Sequence, residues 1–233
     1  MIKAVIFDMD GVIVDSENLN QRATLKTYRD LGLSYTKAEE EEMKELIGAT
    51  RRYSWELRKE RFHLPNTIEY YISIMEKNRK ELVEKEGLKL IPGCGELIYD
   101  LYENKFPMAV ASSAPRHEIV DNLKRVQLID YFEHLISGMN CEKGKPDPEI
   151  FLKAAKELKV NPENCLVIED SKNGVIAAKA AGMRCVGYLN PCFSEMGLDL
   201  ADLVISDMHF LNYQKIVSDE FCDKPLKAKM YNI

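Results

Sequence analysis

The stretch Ala4-Val5-Ile6-Phe7-Asp8-Met9-Asp10-Gly11 places two carboxylates directly after a continuous apolar run. Such a run is typical of a strand that is buried on both faces of a parallel sheet. Ligands bind at the carboxyl ends of such strands, and alternate residues of an extended segment point the same way. Asp8 and Asp10 are therefore expected to reach one reacting group, with a divalent cation or a shared proton offsetting their repulsion. The four residues 8–11 alone also fit a plain turn after a strand.

The composition narrows the class of protein. The chain has 233 residues and a net charge of -6, enough length for one or two domains and no basic surface of the kind that binds nucleic acid. Its six cysteines are scattered without a CxxC motif, which indicates reduced thiols. No uncharged apolar stretch is long enough for a bilayer, and the chain opens directly into a strand instead of a signal peptide. We expect a cytoplasmic protein that binds neither nucleic acid nor membrane.

The order of predicted elements indicates an α/β fold with an insertion. Residues 18–86 read as helices alone, near 18–31, from Thr36, at 51–62 and from about Asn66 to 86. Further along, strands at 106–111, 134–136, 165–168, 184–188 and 203–205 alternate with helices at 93–104, 115–126, 148–158 and 172–181. This alternation predicts a parallel sheet with helices on both faces. We expect a catalytic core of residues 1–15 and 88–233 and an inserted helical cap of residues 16–87.

Polar side chains follow several of the predicted strands. Beside Asp8 and Asp10, these are Ser112-Ser113 after the second strand, Glu169-Asp170 after the fourth, and Lys145 in the loop between them. The strand ends of a parallel sheet meet at one edge, so these groups should converge there. Carboxylate oxygens suit Mg²⁺, and a hydroxyl, helix amides and a lysine suit phosphate oxygens. The set predicts phosphoryl transfer, with one carboxylate attacking phosphorus and another handling protons.

Each of these residues also has a purely structural interpretation. Ser112 and Ser113 could cap a helix, and Lys145 could be a surface lysine. Glu169-Asp170 could cap the following helix, and Asn173-Gly174 would normally be turn residues. Their joint occurrence at successive strand ends favours the functional interpretation.

The chain resembles the haloacid dehalogenase superfamily in its motifs. The residues that carry the resemblance are Asp8-Met9-Asp10-Gly11-Val12, Ser112, Lys145 and Glu169-Asp170. The runs 144–151 and 167–175 are similar to the beta-phosphoglucomutase-like branch of that superfamily. The resemblance covers residues 1 to about 210 and implies a Rossmann-like core with a small helical cap.

The resemblance also implies the roles of the residues. Asp8 would be the nucleophile that is phosphorylated, and Asp10 would protonate the leaving oxygen and then activate water. Mg²⁺ would be held by Asp8, the backbone carbonyl of Asp10, Asp170 and, directly or through water, Glu169. Ser112, Ser113 and Lys145 would hold the phosphoryl group. Haloacid dehalogenases proper lack an Asp at position 10 and use no metal, so Asp10 favours phosphoryl transfer. Proteins of this kind are often monomers.

The cap should separate a phosphatase from a mutase. The run Gly48-Ala49-Thr50-Arg51 keeps the Gly and Arg spacing of the mutase specificity loop, and Lys77 matches a cap lysine common to both groups. Asn20 stands where the mutase has a histidine, and an amide cannot carry a proton at neutral pH. Arg51 facing the core could bind a second phosphate or a sugar hydroxyl, although a solvated arginine at a helix start fits equally well. We therefore expect a phosphatase of a small phosphorylated metabolite, a hexose or pentose phosphate, with a mutase as the alternative.

Two other classes share parts of this pattern. A receiver module of a signalling protein also uses an acidic cluster, a Ser or Thr and a Lys around a phosphorylated Asp, but it lacks an inserted cap. A catalytically idle binding protein is disfavoured because every core motif residue is present.

Overall fold

A parallel sheet organises the part of the chain that the computed structural model describes, namely residues 1–34, 36, 50–190 and 197–218. Its strands are β1 (Ala4–Phe7), β2 (Met108–Ser112), β3 (His134–Ser137), β4 (Cys165–Glu169), β5 (Arg184–Tyr188) and β6 (Leu203–Ile205). They lie in the order β3-β2-β1-β4-β5-β6, and every neighbouring pair is parallel. The predicted α/β fold is confirmed, and β1 lies at the centre, between the strands that end in Ser112 and Glu169.

The helices follow the predicted order. They are α1 (Glu17–Asp30), α2 (Arg51–Arg61), α3 (Ile68–Glu86), α4 (Cys94–Glu103), α5 (Arg116–Arg125), α6 (Glu149–Leu158), α7 (Lys172–Ala180) and α8 (Tyr213–Ser218). The expected start of α3 at Asn66 was slightly early, because the Thr67 hydroxyl accepts from the Tyr70 amide and caps the helix instead. The helix predicted from Thr36 lies, beyond Thr36 itself, outside the described residues.

The sheet has a different apolar layer on each face. Val5 and Phe7 of β1 point into one cluster, together with Ile98 and Leu101 of α4. The alternate residues of β1 point into a second cluster that contains α6 and α7 and many alanines. Full burial of a side chain such as Phe7 stabilises the fold by about 2–3 kcal/mol. Small residues on the second face let α6 and α7 approach the strand ends closely.

The cap has a hydrophobic cluster of its own. The rings of Trp55 and Tyr71 stack with centroids 5.7 Å apart, and the Tyr28 ring meets Trp55 edge-on. The Arg58 guanidinium lies 5.4 Å from the Trp55 ring, and its Nε donates to the Tyr28 hydroxyl at 2.9 Å. Aromatic packing therefore joins α1, α2 and α3 into one unit beside the sheet.

Two segments that run side by side connect the cap to the core. The Asp15 amide donates to the Lys89 carbonyl at 2.9 Å, and the Ile91 amide donates to the Ile13 carbonyl at 2.9 Å. The predicted division at residues 15/16 and 87/88 falls next to this pairing. Within the described ranges, no helix combines the length and the apolar character needed to cross a membrane.

Candidate active site

A buried lysine joins the ends of two central strands. The Lys145 Nζ lies 2.5 Å from Asp8 Oδ1 and 2.6 Å from Glu169 Oε1, and it also donates to the Ala111 carbonyl at 3.3 Å. The Lys145 ammonium lies over the Phe151 ring, with Nζ 4.9 Å from the ring centroid. Lys145 is therefore not the surface residue that its sequence context also allowed, because its side chain is fully enclosed.

The charges in this cluster are unequal. One ammonium faces the carboxylates of Asp8 and Glu169, with Asp10 close by. Burial raises the pKa of Asp8 to about 8, and the charges of Glu169 and Asp10 add to this effect while Lys145 opposes it. Burial lowers the pKa of Lys145, but the two carboxylates outweigh burial and hold it above its ordinary value. Burial, with the nearby carboxylates adding to it, therefore outweighs the effect of the lysine on the pKa of Asp8.

Glu169 is fixed through both of its oxygens. Its Oε2 accepts hydrogen bonds from the Ser171 amide at 2.7 Å and the Ser171 hydroxyl at 2.9 Å. That hydroxyl also accepts from the Gly174 amide and caps α7. A Cβ at Gly174 would lie 1.7 Å from Glu169 Oε1, so only glycine leaves room for the carboxylate. Asn173 and Gly174 lie in α7, in agreement with the helix predicted at 172–181 and not with the turn that these residue types would normally form.

Two hydroxyls orient Asp10. The Ser16 hydroxyl donates to Asp10 Oδ1, and the Ser112 hydroxyl lies 3.5 Å from Asp10 Oδ2. Ser16 occupies the N-cap position of α1 but makes no side-chain capping bond, since its hydroxyl serves Asp10 instead. Ser112 also accepts from the Ala114 amide at 3.1 Å, but it does not cap α5, whose N-cap residue is Pro115. Ser113 follows it, half-buried, at the same edge of the sheet.

The loop after β1 closes tightly against the end of β4. Gly11 has a φ of +82°, and a Cβ there would lie 1.9 Å from Asp170 Oδ2. The Asn190 amide nitrogen donates to the Gly11 carbonyl at 3.2 Å and ties the same loop to the end of β5. Glycine is therefore required at position 11 both by its backbone conformation and by the nearby carboxylate.

The donor set is compatible with a magnesium ion. Asp8, Asp10 and Asp170 offer hard oxygen donors at one edge, and a divalent cation would offset their excess charge. Among the described residues, however, no three His, Cys, Asp or Glu side chains are grouped closely enough to hold a metal. The carboxylates of Asp8 and Glu169 turn towards Lys145 instead. Lys145 and Ser171 hold one Glu169 oxygen each.

The predicted cap residues take different positions. Arg51 begins α2 and reaches the core, where its Nη2 lies 2.7 Å from Glu118 Oε1. Asn20 Oδ1 accepts from Arg79 Nε at 2.7 Å, so Asn20 also lies at this boundary. Lys77 is exposed. It lies two residues before Arg79 on α3, about 200° around the helix and so on nearly the opposite face. The α3 cation that pairs with the core is therefore Arg79 rather than Lys77. Gly48 and Ala49, which precede Thr50 and Arg51 in the predicted specificity loop, lie outside the described residues.

Several residues of the site were not singled out from the sequence. They are Ser16, Arg79, Glu118, Asn122 and Phe151. Ser16 could have been found from the sequence, because it is a hydroxyl residue that lies six positions after Asp10 at the start of a predicted helix. Glu118 and Arg79 had no such signal, because the contact between them joins α5 of the core to α3 of the cap.

Comparisons with known proteins point to one family. A sequence profile of the haloacid dehalogenase-like hydrolases matches residues 5–188. The chain is 36% identical over 184 residues to a phosphorylated carbohydrates phosphatase from Thermotoga maritima, which covers 78% of this chain and 83% of that protein. It is 33% identical over 198 residues to beta-phosphoglucomutase from Bacillus subtilis, which covers 80% of this chain and 83% of that protein. The structure is similar to that of a mutant of CbbY from Rhodobacter sphaeroides in complex with xylulose-1,5-bisphosphate. The TM-score is 0.77 at 26% identity, and the match covers 90% of this chain and 96% of that chain.

Proposed function

The chain belongs to the haloacid dehalogenase-like hydrolases, and from that premise we propose that it is a Mg²⁺-dependent phosphatase of a small phosphorylated carbohydrate. One observation carries the proposal. Lys145 joins Asp8 to Glu169 at the centre of the sheet edge, and Asp10 lies beside them within reach of the Ser112 hydroxyl. A nucleophile, a proton carrier and phosphate-binding groups are thus present in one place.

The proposed reaction has two steps. In the first, an Asp8 oxygen attacks phosphorus, the bond from phosphorus to the sugar oxygen breaks, and Asp10 gives its proton to that oxygen. In the second, Asp10 takes a proton from water, the water oxygen attacks phosphorus, and the acyl phosphate of Asp8 is cleaved to free phosphate. Lys145, Ser112 and Ser113 hold the phosphoryl oxygens in both steps. Ser16 acts as a positioning residue, because its hydroxyl orients the Asp10 carboxylate.

Magnesium would be held by the side chains of Asp8 and Asp170 and by the backbone carbonyl of Asp10, with Glu169 acting through water. When bound, the ion supplies positive charge that reduces repulsion between the anionic nucleophile and the anionic phosphate. That positive charge would act against burial and the neighbouring carboxylates, which raise the pKa of Asp8 to about 8.

A mutase that isomerises a sugar phosphate is the second candidate, since a beta-phosphoglucomutase is among the relatives. Asn20 favours the phosphatase, because its side-chain oxygen accepts from Arg79 and its amide has no proton to exchange at neutral pH. The cytoplasmic location and the monomeric state stay predictions from the sequence.

The test is a panel of hexose, pentose and hexitol phosphates assayed with Mg²⁺, in which free phosphate and isomerised sugar are measured separately. We expect phosphate release without isomerisation, and an Asp8→Asn variant that loses at least about 10⁴-fold in kcat. Asp130→Asn, at an exposed aspartate outside the site, is the matched control and should retain activity. Isomerisation that depends on a bisphosphate would favour the mutase, and full activity of Asp8→Asn would refute both.

A further inference from the structure

A buried carboxylate neutralises the cap arginines at the boundary between cap and core. Glu118, at the start of α5, binds both guanidinium nitrogens Nη1 and Nη2 of Arg51, the latter at 2.7 Å. Arg79 Nη1 lies 2.9 Å from the same Glu118 Oε1. Glu118 is only 6% exposed, so solvent screens these contacts little. Burial raises the pKa of Glu118, but Arg51 and Arg79 outweigh burial and hold it below its usual value, which keeps the carboxylate ionised.

The ion pairs among Arg51, Arg79, Glu118 and Glu76 balance in charge. Glu76 of α3 lies 3.4 Å from Arg51 Nη1, so two guanidiniums face two carboxylates. Arg79 also contacts two neutral amides, those of Asn20 and Asn122. His117 is close enough to Glu118 to influence its charge, but it lies on the exposed side of α5. Among the residues that the structure describes, the two guanidiniums of this group are therefore matched by two carboxylates.

The group also lies next to the reacting carboxylates. Arg51 lies close enough to Asp10 for the charge of Asp10 to favour the charged guanidinium. Asn122, one turn after Glu118 on α5, lies with its amide nitrogen 3.7 Å from the sulfur of Met9, a core residue that separates Asp8 from Asp10 in the sequence. Thr50, which precedes α2, lies against the loop that carries Lys145, because a Cβ at Gly144 would lie 2.7 Å from Thr50 Cγ2. Arg51 and Thr50 thus place this group beside the strand ends.

We propose that Glu118 determines specificity by reserving the far end of the substrate site for an uncharged polyhydroxyl group, so that carbohydrate monophosphates are accepted and bisphosphates are rejected. This inference rests on the proposed phosphatase function and names the substrate class of that site. Hydroxyl groups can donate to the oxygens of Glu118 or Glu76 and accept from the guanidiniums. A second phosphate would instead meet a buried carboxylate, and the repulsion between like charges would weaken its binding.

The test compares two pairs of substrates that differ only in the second phosphate. These are glucose 6-phosphate with glucose 1,6-bisphosphate and xylulose 5-phosphate with xylulose 1,5-bisphosphate. For whichever pair the wild type hydrolyses, we expect kcat/KM to be at least about tenfold higher for the monophosphate than for the bisphosphate. In Glu118→Gln the ratio should shift towards the bisphosphate by about tenfold or more, mainly through a lower KM, because two arginines then lack a counter-charge.

A graded series keeps the test informative if Glu118→Gln folds poorly. Glu76→Gln, at a residue that is less buried and lies farther from Arg51, should shift the ratio in the same direction by a smaller factor. Glu86→Gln removes a carboxylate that pairs with Arg22 on the cap surface, and it should leave the ratio unchanged. A wild type that prefers bisphosphates, or Glu118→Gln and Glu76→Gln variants that keep the wild-type ratio, would overturn the inference. Loss of activity in Asp8→Asn would show separately that the phosphatase function stands.

Discussion

Two clusters of charged side chains, both within the described part of the chain, differ in their balance. At the strand ends, Lys145 alone faces the carboxylates of Asp8 and Glu169, and the site carries excess negative charge. At the boundary between cap and core, Glu118 and Glu76 balance Arg51 and Arg79. An unbalanced cluster is completed by a cation and a reacting phosphate, whereas a balanced one favours a neutral partner. We infer that the strand ends set the reaction and that the boundary selects the substrate.

Removal of Lys145 should have the largest effect, because it worsens the imbalance at the strand ends. Lys145→Met leaves two buried carboxylates without their cation, and we expect a loss of at least about 10²-fold in kcat together with about 3 kcal/mol of unfolding free energy. Phosphate release and urea denaturation measure the two effects. Lys153→Met breaks a partly exposed pair with Glu149 and should cost less than about 1 kcal/mol. Equal costs for the two variants would contradict the importance given to the buried lysine.

A methyl group at Gly174 should have an intermediate effect, because it displaces a carboxylate that Lys145 and Ser171 hold in place. The added Cβ would lie 1.7 Å from Glu169 Oε1, so we expect Gly174→Ala to cost about 2 kcal/mol in stability and to lower kcat. Gly95→Ala, also in a helix, meets its nearest neighbour at an ordinary 3.4 Å. That control should be neutral or slightly stabilising in a thermal melt, and a Gly174→Ala variant equally unaffected would argue against a fixed Glu169.

Loss of the Ser16 hydroxyl should have the smallest effect, and it should be confined to chemistry. Ser16→Ala frees the Asp10 carboxylate to rotate, so kcat should fall roughly tenfold while KM and stability change little. Ser73→Ala removes a hydroxyl that bonds only within the exposed surface of α3, and it should behave as the wild type. A rise in KM at unchanged kcat would mean that Ser16 binds the substrate and does not position Asp10.

The strand ends were predictable from the sequence for a physical reason. Asp8, Ser112 and Glu169 each follow an apolar run, and in a parallel sheet such positions meet at one edge whatever the intervening chain does. The burial of Lys145 required only that its loop cross the same edge. Motif resemblance assigned the roles, and the geometry agrees with the convergence of these residues.

The boundary was not predictable in the same way. Arg51 was recognised by its spacing from Gly48, but its partner Glu118 lies 67 residues away on another element. Lys77 and Arg79 are two residues apart on one helix, and which of them pairs with the core depends on how α3 packs. Local periodicity does not fix that packing angle, so the choice between them needed the structure.

The most direct test of this division of labour measures the ratio of kcat/KM for a monophosphate and the matching bisphosphate in two variants. Asp10→Asn should lower both values by the same factor, about 10² or more, and leave the ratio at its wild-type value. Glu118→Gln should change the ratio by about tenfold while activity persists. Two results would contradict the account: a shift of the ratio in Asp10→Asn as large as that in Glu118→Gln, or an unchanged ratio in Glu118→Gln. Either would mean that the strand ends do not set the reaction while the boundary selects the substrate.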